Sequence, residues 1–307
     1  MYDLLIIGGG PAGISAGIYA SRKQLRTLFI TKDWGGQSTV SDDIQNWIGT
    51  PSISGVKLAE NLRAHLEAYA GDKVDIISNQ TVLKLDKIQD GYSVKLSDES
   101  IHEGKAVLIT SGSERKRLPI PGADEFEHKG VTYCASCDGP IFAGQDVAVI
   151  GGGNAGFETA AQLLAYTKSV TLLQHGPQFK ADPVTVEKVL AHENMTGLLN
   201  VETKEVVADK FVKGIKYVDT QTKAEHILPV SGIFVEIGMI PNTDYAGDIV
   251  ERDEYKRIVI DPWTQKTSAD NIWAAGDCTN VKYHQNNIAA GDAVRALEDI
   301  YVTLKAK

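Results

Sequence analysis

The sequence predicts an α/β fold of two Rossmann-like, three-layer ββα domains, the second inserted into the first. Three observations predict it: a glycine-rich strand–loop–helix pattern that occurs twice, alternating strands after each copy, and an apolar carboxyl-terminal segment that matches neither copy. A chain of 307 residues is long enough for two domains of ordinary size. The predicted domains are residues 1–112 with 242–307, and residues 113–241.

The first copy of the pattern begins with an apolar run at residues 4–7 and continues through Gly8-Gly-Gly-Pro-Ala-Gly13 into an alanine-rich stretch. Its second strand is predicted at residues 27–31. The second copy has Gly151-Gly-Gly-Asn-Ala-Gly156 and a strand at residues 170–174. In Gly-x-Gly-x-x-Gly, the first glycine makes the turn, the second lets the backbone approach a diphosphate, and the third lets helix and strand pack closely. One copy can arise by chance, but two copies predict two dinucleotide-binding βαβ units.

The segments that follow each of these units are predicted to be mainly β-structure. Residues 58–70 form an amphipathic pattern that predicts a helix, and residues 82–86 and 92–96 alternate as antiparallel strands do. A second β-rich interval is predicted over residues 214–218 and 227–235. The chain then returns through residues 258–260 to an apolar strand near residue 272, which we expect to complete the first domain.

The composition is that of a globular protein, with 43% hydrophobic and 23% charged residues. The 31 basic and 40 acidic residues give a net charge of −9, which argues against nucleic acid or an anionic membrane as a partner. An uncharged stretch near the amino terminus lacks a preceding Lys or Arg and is interrupted by five glycines, unlike a signal peptide. These features predict a cytoplasmic protein.

Two of the three cysteines form a Cys-x-x-Cys pair, Cys134 and Cys137. Such a pair suits thiol–disulfide exchange, in which one thiolate attacks and the other resolves the mixed disulfide. The competing interpretation is half of a zinc site, but zinc needs about four ligands and the sequence offers no second pair. No metal site is predicted, and Cys278 is expected to be a small buried packing residue.

Taken in order, these motifs resemble the low-molecular-weight thioredoxin reductases. They are also similar to the reductase portion of the alkyl hydroperoxide reductase flavoprotein subunit. Further landmarks are Gly35-Gly-Gln37, Asn46-Trp47, Ser111-Gly112 and Ala275-Gly-Asp-Cys-Thr279. The resemblance covers nearly the whole chain. It implies a homodimeric, FAD-dependent pyridine nucleotide-disulfide oxidoreductase that reduces a thioredoxin- or glutaredoxin-like protein. No thioredoxin-like domain precedes Leu4, so the acceptor is expected to be a separate protein.

The resemblance also implies roles for individual residues. Cys137 would be the flavin-proximal sulfur, Cys134 the interchange thiol and Asp138 the acid/base. The discontinuous domain would bind FAD through Gly8, Gly10, Pro11, Ala12, Gly13, Gly36, Gln37, Asn46, Gly112, Asp277 and Gln285. The inserted domain, which carries the Cys-x-x-Cys pair, would bind NAD(P)H through Gly151, Gly153, Asn154, Ala155, Gly156, Glu158, Gln174 and Lys180.

The segment after the second strand departs from the NADPH-dependent members of this family. Those members carry an arginine pair there, because a 2′-phosphate needs cationic partners. This chain has His175 and Gly176 at that place, and only Lys180 keeps a charge. The peroxide-reductase relatives use NADH and have Glu at the position of Gln174. We therefore expect NADH to be preferred over NADPH. A second departure is His284, where the thioredoxin reductases have Arg.

Three alternatives stay open from the sequence. A dithiol oxidase or a ferredoxin-driven reductase of the same fold would keep the Cys-x-x-Cys pair without using a nicotinamide donor. The altered segment at residues 174–180 favours these two, whereas the intact loop at residues 151–156 opposes them. A flavin-binding redox sensor without turnover is the third.

Overall fold

A computed structural model describes residues 1–41 and 43–305, without the side chain of residue 137. The chain forms two compact units. Unit 1 consists of Met1–Glu114 and Ile240–Lys307, and unit 2 consists of Arg115–Met239. Among the described residues, no helix has both the length and the apolar character needed to cross a bilayer.

The strands and helices are as follows. The strands are β1 (Tyr2–Ile7), β2 (Thr27–Thr31), β3 (Val74–Ser78), β4 (Val82–Ile88), β5 (Gly91–Leu96), β6 (Ile101–Ile109), β7 (Ser113–Arg115), β8 (Val131–Thr132), β9 (Asp146–Ile150), β10 (Ser169–Leu173), β11 (Met195–Leu198), β12 (Val201–Ala208), β13 (Val212–Asp219), β14 (Glu225–Leu228), β15 (Gly232–Val235), β16 (Met239–Pro241) and β17 (Ile272–Ala274). The helices are α1 (Pro11–Arg22), α2 (Gly55–Ala70), α3 (Ala135–Asp138), α4 (Asn154–Leu163), α5 (Pro183–Leu190) and α6 (Asn286–Lys305).

Unit 1 is built on a mixed sheet with strand order β3-β2-β1-β6-β5-β4, and β17 pairs with β6. Strands β1, β2, β3, β6 and β17 run parallel, whereas β4 and β5 extend the sheet in antiparallel fashion. Successive side chains of a strand face opposite sides of a sheet. Leu4 and Ile6 of β1 accordingly join the core under α1 and α6. Leu5 and Ile7 join a separate core on the other face.

Unit 2 repeats this plan with a parallel sheet in the order β11-β10-β9-β15-β8. On one face, Val147 and Val149 of β9 pack in a core with Phe157 of α4. On the other face, Ala148 and Ile150 share a core with residues of the antiparallel strands β12 and β13. The unit is therefore a helix layer, a parallel sheet and a small antiparallel sheet. The predicted α/β class with Rossmann-like units is confirmed.

Element boundaries differ from the prediction where local chemistry was overlooked. Helix α2 begins at Gly55 rather than residue 58, because the Ser54 hydroxyl accepts a hydrogen bond from the Lys57 N–H at 3.2 Å and caps the helix. The β-rich interval predicted over residues 227–235 contains two strands. It is split into β14 and β15, which lie in different sheets. Pro229 lies between them and has no N–H for a sheet ladder.

The apolar segment at residues 258–260, through which the chain returns to the sheet of unit 1, is not a regular strand. Ile258 forms only isolated bridges, to Arg252 and Thr279. The apolar segment after it becomes β17, which adds to the sheet of unit 1 beside β6. The second strand of the second βαβ unit ends at Leu173, so Gln174 lies directly after it.

Candidate functional site

Unit 1 contains a large cavity at the carboxyl ends of its parallel strands. Its volume is about 720 Å³, within the range of cavities that bind small molecules and cofactors. The glycine-rich loop after β1, the segment after β6 and the segment after β17 all contribute to its wall. In open α/β sheets, ligands bind outside the carboxyl ends of the strands, where the chain diverges to either side.

Close backbone packing requires glycines in this loop. A Cβ atom at Gly13 would overlap the carbonyl oxygen of Gly8, and one at Gly8 would overlap the carbonyl oxygen of Thr110. Gly8 also has a φ of +124°, which side-chain-bearing residues rarely adopt. By contrast, nothing lies within 4 Å of a Cβ placed at Gly10, which precedes α1 and faces open space. This combination forms a cradle that an anion can approach at a helix amino terminus, and a diphosphate fits it.

Most of the residues predicted to bind FAD line this cavity. They are Gly8, Gly10, Pro11, Ala12, Gly36, Gln37, Gly112 and Asp277. Gly13 is not among the cavity-lining residues, and its contribution is the close packing against the carbonyl oxygen of Gly8. Asn46 and Gln285 lie together, with the Asn46 amide donating to Gln285 Oε1 at 3.1 Å, but neither is among the cavity-lining residues. His284 Nδ1 lies 3.3 Å from Asp277 Oδ1, so this departure from the family pattern is beside a predicted cofactor-binding residue.

Unit 2 has a second cradle with the same construction. A Cβ atom at Gly156 would overlap the carbonyl oxygen of Gly151, and one at Gly151 would overlap the carbonyl oxygen of Glu236. Nothing lies within 4 Å of a Cβ placed at Gly153. The Asn154 side chain at the start of α4 accepts from the Asp182 N–H at 2.8 Å and ties the loop to the start of α5. This loop can therefore accept a second diphosphate.

The structure uses Gln174 in a way the sequence did not predict. Its side chain is buried, and Oε1 accepts from the N–H of Gly152 at 2.9 Å. Its Nε2 atom donates to the carbonyl oxygen of Gln178 at 3.2 Å. The Lys180 N–H donates to the Gly152 carbonyl oxygen at 2.7 Å, while the Lys180 residue itself is exposed. Gln174 thus orders the loop and its flanking segment. Glu158, also predicted to contact the nucleotide, is exposed on α4.

The cysteine motif lies in unit 2, where α3 follows β8. Cys134 is disulfide-bonded and partly exposed, and its N–H donates to Thr132 Oγ1 at 3.3 Å. The Thr132 hydroxyl in turn donates to Asp138 Oδ2. The backbone of Cys137 belongs to α3, but its side chain lies outside the described part of the structure. Thr132 therefore links Cys134 to the carboxylate predicted as acid/base.

The third cysteine has a different environment. Cys278 is a free thiol that is fully buried in unit 1. Burial raises the pKa of this thiol to about 12, so it stays protonated near neutral pH. Its packing role in the core agrees with the sequence prediction. In the described residues, no group of three or more His, Cys, Asp or Glu is arranged to hold a metal ion.

Two residues of these sites were missed by sequence reasoning. Thr132 carries a weak signal, since it stands two residues before Cys134 in a Thr-x-Cys pattern. Glu236 follows β15, and its carboxylate accepts a hydrogen bond from the Thr159 hydroxyl at 2.8 Å. No sequence motif marks Glu236, because its position beside the loop results from the pairing of β15 with β9.

Comparison with known proteins agrees with this architecture. The chain is 39% identical to the NADH dehydrogenase of Bacillus subtilis (strain 168) over 295 residues, covering 96% of this chain and 57% of the relative. It is 39% identical to an alkyl hydroperoxide reductase component of Escherichia coli (strain K12) over 299 residues, with the same coverages of 96% and 57%. The chain thus spans little more than half the length of these curated relatives.

A solved structure matches over the whole length. The thioredoxin reductase from Streptococcus pyogenes MGAS5005 superposes with a TM-score of 0.89 at 32% identity, covering 100% of this chain and 99% of that one. The family model described as pyridine nucleotide-disulphide oxidoreductase matches residues 2–293. This chain therefore belongs to the pyridine nucleotide-disulphide oxidoreductase family.

Proposed function

We propose that the protein is an FAD-dependent oxidoreductase that uses NADH to reduce a disulfide in a thioredoxin- or glutaredoxin-like protein through Cys134 and Cys137. The observation that carries this proposal is that unit 2 holds both a diphosphate-type loop and a disulfide-bonded cysteine, Cys134. The name of the family contains both reactants, a pyridine nucleotide and a disulfide. We also propose that the protein is a homodimer, which light scattering of the purified protein would check.

The chain offers a specific set of groups for FAD. The cradle at Gly8–Gly13 would hold the diphosphate at the amino terminus of α1, where unpaired N–H groups and the helix dipole favour anions. Gly36, Gln37 and Asp277 line the rest of the cavity and would contact the remainder of the cofactor. When bound, FAD supplies a two-electron carrier between the nicotinamide and the cysteine pair. We assign NAD(P)H to the cradle at Gly151–Gly156 of unit 2.

The cysteines of this chain would carry out the exchange with the partner. In the reduced enzyme, the Cys134 thiolate attacks one sulfur of the partner's disulfide, which forms a mixed disulfide and releases the other sulfur as a thiolate. Cys137 then attacks Cys134, releases the second partner thiol and restores the Cys134–Cys137 disulfide. In total, NADH and one proton reduce one partner disulfide to two thiols and leave NAD⁺.

Asp138 would deliver or remove the proton in this exchange. The Thr132 hydroxyl holds one carboxylate oxygen in place. We expect Asp138→Asn to lower the steady-state rate of disulfide reduction by roughly 10- to 100-fold, because the amide cannot exchange a proton. A dye-coupled assay with a protein disulfide would measure it. Thr132→Val, which removes the hydroxyl but keeps the carboxylate, should lose less activity. Equal losses in both variants would contradict a proton-transfer role for Asp138.

The choice of donor rests on the segment after β10. The residues at the positions of the arginine pair are His175 and Gly176, and the name NADH dehydrogenase of the Bacillus subtilis relative also supports NADH. We expect kcat/KM for NADH to exceed that for NADPH at least about tenfold, since residues 174–180 contain no arginine to bind a 2′-phosphate. Anaerobic stopped-flow measurement of flavin bleaching by each nucleotide would test this.

A matched pair of variants sharpens the donor experiment. His175→Arg places a guanidinium at an exposed position in the segment and should raise kcat/KM for NADPH several-fold with little change for NADH. His192→Arg adds the same charge at another exposed position of unit 2 and should not. A wild-type preference for NADPH would refute the choice of NADH. Failure of both nucleotides to bleach the flavin would favour the ferredoxin-driven or dithiol-oxidase alternative.

A further inference from the structure

Glu236 occupies in unit 2 the position that Thr110 occupies in unit 1. The Glu236 N–H donates to the Ile150 carbonyl oxygen at 2.8 Å, and the Thr110 N–H donates to that of Ile7 at 2.9 Å. A Cβ atom at Gly8 would overlap the carbonyl oxygen of Thr110, and a Cβ atom at Gly151 would overlap the carbonyl oxygen of Glu236. Thr110 lines the cavity of unit 1. By this equivalence, Glu236 lies beside the Gly151–Gly156 cradle of unit 2. The space over this cradle, where a nucleotide would bind, is called the nucleotide crevice of unit 2.

The sheet order tells which end of a nucleotide Glu236 would meet. In unit 2, β10 and β15 flank β9 on opposite sides. A dinucleotide on such a sheet places its adenosine ribose near the residue after the second strand, which is Gln174 here, and its diphosphate on the loop between. The other half of the nucleotide would then lie on the β15 side of β9. Glu236, at the carboxyl end of β15, would therefore be on the nicotinamide side.

The carboxyl group of Glu236 is partly buried, and the charged groups that act on it are Glu158 and Arg115. From α4, the Thr159 hydroxyl donates to Oε1 at 2.8 Å and Glu158 contributes a negative charge. From β7, Arg115 contributes a positive charge. Burial is the largest influence and raises the pKa of Glu236 above its ordinary value of 4.5, and Glu158 adds to this effect. The Thr159 bond and Arg115 act in the opposite direction. The carboxyl therefore gains its charge at a higher pH than an exposed glutamate does.

We propose that Glu236 is a specificity-determining residue at the nicotinamide end of the crevice, and that its charge sets the relative affinity for oxidised and reduced nucleotide. This inference rests on the proposed function. Loss of a hydride converts the neutral dihydronicotinamide ring into a cation. A neutral Glu236 leaves the affinities for the two rings nearly equal, so the oxidised product dissociates readily. An ionised Glu236 attracts the cationic ring and retains the product.

Calorimetric binding to the FAD-loaded protein would test the inference without turnover. The probes are NAD⁺ and 1,4,5,6-tetrahydro-NAD, whose ring is neutral and cannot donate a hydride. We expect the affinity for NAD⁺ relative to the tetrahydro analogue to rise about tenfold in the wild type as the pH is raised through the titration of Glu236, which begins above that of an exposed glutamate. In Glu236→Gln, which keeps the size of the side chain, this ratio should not change with pH.

Two further variants identify the group that titrates. Thr159→Val removes a hydrogen bond that favours the ionised form, so the rise should move to higher pH. Arg115→Gln should keep the rise and also shift it to higher pH, because it removes a neighbouring positive charge. The inference is overturned if the wild-type ratio is flat, if Glu236→Gln retains the rise, or if Arg115→Gln abolishes it. Absence of binding by either nucleotide would overturn the proposed use of NADH as well.

Discussion

Replacement of Cys134 by serine is expected to lower the rate of protein-disulfide reduction at least about 10³-fold. The loss is large because a serine hydroxyl at neutral pH neither attacks a disulfide nor forms one. NADH should still bleach the flavin of this variant, since the nucleotide-binding cradle at Gly151–Gly156 is unchanged. Comparing anaerobic flavin bleaching with steady-state disulfide reduction separates the two half-reactions. Cys137→Ser is expected to give the same two results, a large loss of disulfide reduction and continued bleaching of the flavin by NADH.

Cys278→Ala is the matched control for this experiment. It removes the remaining cysteine, whose pKa of about 12 keeps the buried thiol protonated and unreactive. The variant should retain disulfide reduction, and any change should appear in thermal stability through the core in which the residue packs. If Cys278→Ala lost as much activity as Cys134→Ser, the assignment of the exchange to Cys134 and Cys137 would be wrong. If Cys134→Ser kept full activity, the proposed relay would fail.

The features that sequence predicted well are those set by local pattern. The apolar runs at β1 and β9, each followed by a glycine loop and a helix, lead to parallel strands because a right-handed crossover must return the chain to the same sheet. The alternation of Tyr92, Val94 and Leu96 gives a strand with one buried face, and all three side chains are buried. Such signals lie within a few residues and need no knowledge of distant contacts.

The features that sequence did not predict depend on contacts between distant segments. Glu236 is brought to the Gly151 loop only because β15 pairs with β9 across 85 residues of chain, from Gly151 to Glu236. Gln174 was expected to bind NAD(P)H, and its side chain accepts a hydrogen bond from the N–H of Gly152, 22 residues earlier. Its contact with the nucleotide stays a prediction. Both cases concern polar side chains, whose partners are chosen by tertiary structure rather than by periodicity.

The equivalence of Thr110 and Glu236 also shows how a repeated unit can diverge. The two residues make the same backbone hydrogen bond beside the same kind of glycine loop. Their side chains differ: the Thr110 hydroxyl bonds the Ile7 carbonyl oxygen at 2.9 Å, whereas the Glu236 carboxyl reaches Thr159 on α4. In both units the backbone of this residue packs against the first glycine of the cradle. Because the backbone makes this contact, the side chain can differ between the two units.

Two alanine substitutions in the first glycine loop should separate folding from cofactor binding. Gly13→Ala would force a Cβ against the carbonyl oxygen of Gly8, and backbone atoms cannot move aside as a side chain can. We expect it to destabilise the FAD-free protein by roughly 3 kcal/mol or more, measured by urea unfolding. Gly10→Ala has no atom within 4 Å of its Cβ and an ordinary φ of −80°, so stability should change by no more than about 1 kcal/mol.

The FAD affinities of the two variants then locate the diphosphate. The Cβ of Gly10→Ala would project into the open side of the cradle, where the second glycine of the motif must let a diphosphate approach the backbone. Because the fold of this variant is intact, a fall in FAD affinity of about tenfold or more would come from that contact. Titration of the FAD-free variant with FAD, followed by visible absorbance, measures it. A Gly10→Ala protein that binds FAD as tightly as the wild type would mean that the diphosphate does not lie on this loop. A Gly13→Ala protein with wild-type stability would mean that strand and helix do not pack as closely as the structure describes.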